Sequence, residues 1–504
     1  MAKAYESFLA QKAKEGVITD LLSKTVFFYL LRAAKMTADM NIGKLDDQIH
    51  NCVASIMDMP DDIIEDILIR LPLKVIFVCM RVCKHWHHLI LSAEFAEMHF
   101  AKQEVGLLLN SINDDLGVPK IWYLVDQSEM GTFHECDENL HICPDFPLRL
   151  PWRDPGVAAI NLGLTDDRFR VVNSYNGFIC FTDSNYEPIV VCNPVTKELV
   201  HIPAGKEPVR DFVDCGFGFC PTTKELKVIR ISYAMVRVSP SPWTTHQNSN
   251  KRRWDGMVCR RIAAVHTLGT QSWHDVGYAP SYDGRLTFPT CLHGNLHWFY
   301  SYESCRRILS FNFTEESFQK FPTPPSSGSE RFDSTKTLMS MGVLNDNLCL
   351  SLVDDDHATV WIMEIYGVKE SWSKFVKFKM TETGFDIVCQ PIDYLKCGSL
   401  LMFHYSKFLI IHYNVETNKW ECLKVGDSNS KFQAVTLVPS FLSLKEALQG
   451  NGERALNIHS RCSGVELQGG AKRIHIAEED RENSPSGSSA LNKESALELV
   501  LKLS

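Results

Sequence analysis

The sequence predicts an α+β, multidomain chain: a small helical unit, then an all-β propeller of about six blades, then a disordered tail. Three observations carry this expectation. A unit of four short strands recurs about every 50 residues through the middle of the chain. An apolar run at 56–102 has the spacing of helices. From 443 onward Gly, Ser, Asn and charged residues displace apolar ones.

Length and composition agree with several folding units. The chain has 504 residues, against about 150 per domain. Apolar residues make up 45% and charged residues 22%, close to the globular average, which excludes collagenous, coiled-coil and wholly disordered chains. Fifty-two basic against sixty-one acidic residues leave a net charge of -9, so neither direct nucleic-acid binding nor an anionic membrane is expected. No apolar run approaches the roughly 20 residues of a bilayer span. Glu6, Lys12, Lys14 and Glu15 precede any apolar stretch, unlike a secretory signal. Seventeen scattered cysteines without a C-x-x-C pair suit a reducing setting, the cytoplasm or nucleus.

The helical unit begins at Pro60, a tolerated first-turn proline, with Asp58, Asp61 and Asp62 placing negative charge at the helix start. Ile63, Ile64, Ile67, Leu68 and Leu71 then form one apolar face, and Pro72 stops the helix. Val75 to Met80 are all apolar, and Val82, Cys83, Trp86, Leu89, Ile90 and Phe95 continue the pattern. Three helices are expected. So small a cluster barely shields its own core, which predicts a docking surface for a second polypeptide. A helical layer packed on the β domain is the other reading. Coverage of Leu68 and Trp86 by neighbours in the same chain would overturn the argument for a docked partner.

The repeat in the β region, at about 103–442, sets the architecture. Its clearest copy runs Leu296 to Tyr300, Ile308 to Phe313, a turn at Thr314 to Ser317, and Phe318 to Phe321. Matching copies follow at Leu348 to Phe378 and Leu400 to Leu423, and precede it at Phe178 to Ile202 and Phe217 to Val276. Five copies fill about 168–424. Leu107 to Leu109, Ile121 to Val125 and Phe432 to Val438 supply flanking strands, so a sixth blade closed from both chain ends is expected. Five or seven blades, or a β-sandwich, are the alternatives.

These residues resemble a known family. Met59-Pro60-Asp61-Asp62-Ile63-Ile64, Ile67-Leu68, Arg70-Leu71-Pro72, then Val82-Cys83-Lys84-x-Trp86-x-x-Leu89-Ile90-x-Ser92 and Phe95, resemble the F-box of plant F-box proteins. Val75 stands where the family usually has Ser or Asp, a lost helix N-cap. Asn176-Gly177, Asn193-Pro194-x-Thr196, Phe217-Gly218-Phe219, Gly269-Thr270-x-Ser272-Trp273 and Ser371-Trp372 resemble the associated kelch-like propeller. Composition marks 1–55 as a helical extension and 443–504 as the disordered tail, and the resemblance implies 56–102 as F-box and 103–442 as propeller. It implies a non-catalytic substrate receptor that docks a Skp-type adaptor and, through it, a cullin–RING ubiquitin ligase. Pro60, Ile63, Ile64, Ile67, Leu68, Leu71, Pro72, Val82, Cys83, Trp86 and Leu89 would form or support the adaptor surface.

Chemistry-bearing motifs are sparse. His134-x-Cys136 and His141-x-Cys143 have one-residue spacing, unlike structural zinc pairs, so no metal or cofactor is expected. No phosphate loop, G-x-S-x-G or H-E-x-x-H occurs. Target recognition falls to loops on one face of the ring or to the channel mouth, with Trp243, Tyr282 and Arg285 as candidates. The insertion from Ser239 to Gly256, carrying Lys251-Arg252-Arg253, is a place for such a loop. Alternating Leu497, Leu499, Leu501 and Leu503 resemble the plant amphiphilic repression motif, which implies a second role, a scaffold recruiting corepressors through the tail. A frayed terminal helix is the simpler account, since short alternating runs arise by chance.

Overall fold

The computed structural model describes residues 60–71, 73–112, 122–125, 141–142, 147–148, 170–182 and most of 189–449, with three short strands between 458 and 474. Outside it lie the expected extension 1–55, Met59, Pro72, the insertion at 239–256 with Trp243, three of the four paired His and Cys (His134, Cys136, Cys143), and the leucines at 497–503.

Four helices open the described chain, not three: α1 (Asp61–Leu68), α2 (Leu73–Cys79), α3 (Lys84–Ile90) and α4 (Ala93–Lys102). Pro60 precedes α1 with an extended backbone, and Asp61 and Asp62 occupy its first turn, where carboxylates meet the positive end of the helix. Two unlike caps start the later helices. The Cys83 Sγ accepts from the Trp86 amide at 3.4 Å, and the Ser92 Oγ accepts from the Phe95 amide at 3.1 Å. Ser92 separates α3 from α4, which accounts for the extra helix. Val75 lies inside α2, which already begins at Leu73, so it occupies no cap position.

Six blades follow, each built on four antiparallel strands; His141–Ile142 adds in parallel to the outer strand of blade 5, and Ile458–His459 adds to that of blade 1. Blade 1 uses Arg170–Tyr175, Phe178–Thr182, Ile189–Asn193 and Glu198–Ile202; blade 2 spans Asp214 to Tyr278, blade 3 Asp283 to Phe321, blade 4 Leu338 to Lys379, and blade 5 Cys389 to Val425. Blade 6 takes its innermost strand, Lys431–Leu437, from the far end of the ring and its outer strands from Gly106–Ile112, Trp122–Val125 and Pro147–Leu148. The ring is thus closed by both ends of the repeat region.

Local chemistry repeats with the blades. Asn176-Gly177, His293-Gly294 and Asn345-Asp346 all hold positive φ, the backbone of two-residue hairpins that follow the strand twist. In blades 1, 3 and 5 an Asn closes the turn before the last strand: Asn193 accepts from Val195, Asn312 from Thr314, and Asn414 from Thr417, at 2.8 to 2.9 Å. The tryptophans that open the outer strands of blades 2 and 4 fasten one blade to the previous one. Trp273 Nε1 donates to the Pro203 carbonyl at 2.7 Å, and Trp372 Nε1 to that of Pro322 at 3.2 Å.

The inner strands run in one direction. Asn173 exchanges hydrogen bonds with the backbone of Phe217, Ser174 donates to the Thr436 carbonyl, Ser340 to that of Cys389, and Gln390 to that of Met341. Each inner strand therefore starts at one face of the ring and ends at the other. The helical unit joins at the ending face, because Gly106, just after α4, pairs with Leu437, the last residue of the blade 6 inner strand.

The expected tail is structured at its start. Helix α5 (Leu444–Gln449) buries Leu444 and Leu448 against blades 1 and 2, and Ile458–His459 pairs with the outer strand of blade 1. Glu198 secures this segment: its carboxylate accepts from the Ser443 hydroxyl at 2.9 Å and from the Leu444 amide at 2.6 Å.

Candidate adaptor-docking surface

The four helices share one apolar core with the ring. Ile64, Leu68, Leu71, Leu73, Ile76, Trp86, Ile90 and Phe95 pack in a single cluster with Ile179, Phe181 and Val190 of blade 1 and Leu108 of blade 6. Phe441, between the last inner strand and α5, is central to the joint. Its ring centroid lies 5.6 Å from that of Phe77, 6.2 Å from Phe95 and 5.2 Å from His99.

Leu68 is 0% exposed and Trp86 2%. The expected unsealed apolar surface is therefore corrected: these side chains are covered within the chain. The physical reason is that the helices do not stand alone, since blades 1 and 6 and Phe441 supply the core that a 45-residue cluster lacks. Their apolar content does not by itself demand a second polypeptide.

The named adaptor residues divide by exposure. Ile64, Leu68, Leu71 and Trp86 are buried and hold the helices in register. Pro60 is exposed, and Ile63, Ile67, Val82, Cys83 and Leu89 are half-buried. Helices α1 and α3 pack together, and His85 Nε2 stands 2.8 Å from Asp61 Oδ1 between their exposed starts. Asp66 pairs with Arg70 at 2.5 Å and with Lys102 at 3.6 Å, tying α1 to α4. Such exposed pairs are each worth about 1 kcal/mol or less.

His99, which the sequence reading passed over, is buried with neither ring nitrogen bonded among the described residues. Its ring stacks on Phe95 at 5.7 Å, and desolvation pushes its pKa down to about 4. A neutral imidazole therefore sits in the joint at neutral pH.

Comparison with known proteins assigns both parts. Residues 56–97 match the F-box domain, and residues 159–444 match the F-box associated beta propeller domain. The chain belongs to the F-box associated beta propeller family.

Curated relatives agree. F-box protein At3g07870 of Arabidopsis thaliana is 28% identical over 331 residues, 63% of this chain and 71% of the relative. F-box protein CPR1 of the same plant is 23% identical over 407 residues, 76% of this chain and 88% of the relative. The solved nidogen/laminin complex contains a chain matched at 10% identity with a TM-score of 0.32, covering 67% of this chain and 100% of that one, a likeness too slight to weigh.

F-box proteins are generally non-catalytic substrate adaptors, which work through surfaces rather than reactive groups. No group of three or more metal-ligating side chains occurs among the described residues, and none of their helices is long and apolar enough to cross a membrane.

The three target-face candidates separate. Trp243 lies outside the described residues. Tyr282 is 4% exposed, its hydroxyl donating to Asp214 at 2.7 Å and its ring under the Arg261 guanidinium, so it is a core residue rather than a loop contact. Arg285 is exposed and, with Arg170, lines the central cavity of about 840 Å³.

Proposed function

We propose that the chain is the substrate-receptor subunit of a Skp–cullin–F-box ubiquitin ligase, its F-box docking the Skp-type adaptor and its propeller holding a protein target for ubiquitination. The observation that supports this most directly is the union of the two parts: an F-box and a propeller on one chain, packed together through Phe441. In this role the chain performs no bond-making chemistry. It turns the meeting of ligase and target into a local event by holding both at once.

Pro60, Ile63, Ile67, Val82, Cys83 and Leu89 are the side chains of the F-box that an adaptor would cover, while Ile64, Leu68, Leu71 and Trp86 support them from beneath. Pro72 completes the set in sequence. Titrating the full-length chain with a Skp-type adaptor in a calorimeter tests this reading. Binding is expected, and Ile63→Glu should weaken it at least tenfold while the thermal midpoint stays unchanged. A folded chain that gives no heat with the adaptor would overturn it.

A further inference from the structure

Arginine collects where blades 2 and 3 meet, at the face on which the inner strands start. Arg170 and Arg285 stand at the beginnings of the inner strands of blades 1 and 3. Arg260, Arg261 and Arg307 lie near the beginnings of the third strands of blades 2 and 3, which run the same way. The F-box enters at the opposite face, so an adaptor there leaves this one open.

Tyrosines hold two of these guanidinium groups, Arg260 and Arg261, in place. Arg260 lies 5.1 Å over the ring of Tyr278, which is 56% exposed and one of four large apolar side chains so exposed among the described residues. Arg261 sits 3.6 Å over Tyr282 and 4.8 Å over Tyr233, and donates to the Tyr282 carbonyl and the Tyr233 hydroxyl. Tyr282 meets Tyr300 edge-on at 5.9 Å, and Tyr300 is the register partner of Arg307. A guanidinium laid on a ring keeps its N–H edge outward and loses little freedom when it accepts an anion.

The local charge does not follow the composition. Five arginines gather here in a chain of net charge -9. Among the described residues, the acidic ones placed at the same strand ends are Asp214 and Asp283. Asp214 is buried and already accepts from Tyr282 and from the Leu286 amide, with Arg285 Nε at 3.7 Å. Glu104 and Asp346 line the central cavity from the F-box side, so the channel is basic at one mouth and acidic at the other. Like charges held together raise the local potential, and a ligand of opposite charge relieves it.

We infer that this face of blades 2 and 3, with the adjoining channel mouth, docks an anionic segment of a partner protein, through carboxylate or phosphate groups bound by Arg170, Arg260, Arg285 and Arg307. The inference rests on the receptor reading and supplies the chemical class of its target. The overall acidity of the chain argues against nucleic acid as the occupant.

Fluorescence anisotropy with the full-length chain tests it, using three labelled probes at low salt: an oligoglutamate peptide, a phosphoserine peptide of equal charge, and a single-stranded RNA. One or both peptides should bind, more weakly as salt rises, and the stronger of the two identifies the anion. Arg285→Glu and, separately, the exposed Arg307→Glu should each weaken binding at least tenfold, whereas Lys377→Glu on the outer strand of blade 4 should leave it unchanged. Failure of both peptides, equal loss in the Lys377→Glu variant, or tighter binding of RNA would overturn the proposal. Adaptor affinity is read on the same variants. If the peptides bind but the adaptor never does, the receptor reading fails while the surface stands.

Discussion

The side-chain amide of Asn193 lies 2.9 Å from the backbone carbonyl of Ser440, across 247 positions of sequence. The same amide reaches the Leu442 carbonyl at 2.8 Å, and its oxygen accepts from the Val195 amide. One buried side chain thus closes a turn in blade 1 and clamps the segment that carries Phe441 into the F-box. Asn193→Ala should cost about 2–4 kcal/mol, since it strands two buried carbonyls and one amide. Urea titration at unchanged m-value checks the cost, and amides of α4 should exchange faster as the clamp loosens.

His99 makes the joint sensitive to acid. Unfolded, its imidazole takes a proton near 6.5; folded, burial beside Phe95 and Phe441 holds that back to about 4. The unfolded chain therefore binds more protons between those values, and stability falls as pH drops through them, by about 1 kcal/mol at pH 5.5 from this residue. His266 and His297, buried and lowered to about 4 as well, act in the same direction. Unfolding curves at pH 7 and pH 5.5 should show a loss that shrinks by about 1 kcal/mol in His99→Phe.

Gly218 is required by the neighbouring blade. A Cβ built there would lie 2.3 Å from Phe313 Cε2 and 2.8 Å from Cys291 Sγ. Phe313 is fully buried and cannot retreat. Gly218→Ala should therefore destabilise by about 1–3 kcal/mol through overpacking, read as a lower urea midpoint.

Trp86 separates packing from hydrogen bonding. Its ring is buried, but its indole N–H has no partner among the described residues. Trp86→Phe gives up an unpaired donor and should cost under about 1.5 kcal/mol, whereas Trp86→Ala leaves a cavity and should cost about 3–5 kcal/mol. Equal losses in the two variants would show that the N–H matters more than the volume.

Middle strands are legible because they are apolar, and several outer strands because a strong turn signal precedes them: Asn193, Asn312 and Asn414 each mark the same corner. Most inner strands are not. Asn173, Ser174, Ser340 and Gln390 lie on inner strands and bond neighbouring backbones, so the strands around them lack the alternation that identifies a half-buried strand. Within the F-box, the apolar periodicity located the helices but could not say what covers them. Phe441 lies far along the chain and carries no local mark of its role. Tyr282 was read as a loop aromatic because its two fixing partners, Asp214 and Arg261, are distant in sequence. Arg260 and Arg261 of blade 2 lie on a different strand from Arg285 and from Arg307 of blade 3, and only the ring gathers them.

Blade 6 draws its central strand from Lys431–Leu437 and its outer ones from Gly106 onward. During synthesis the F-box leaves the ribosome first, yet neither the final blade nor Phe441 is available until more than four-fifths of the polypeptide has been made. Any premature stop before Phe441 would release helices with an open flank beside an unsealed circle of strands, so only a nearly finished chain can present a properly seated F-box.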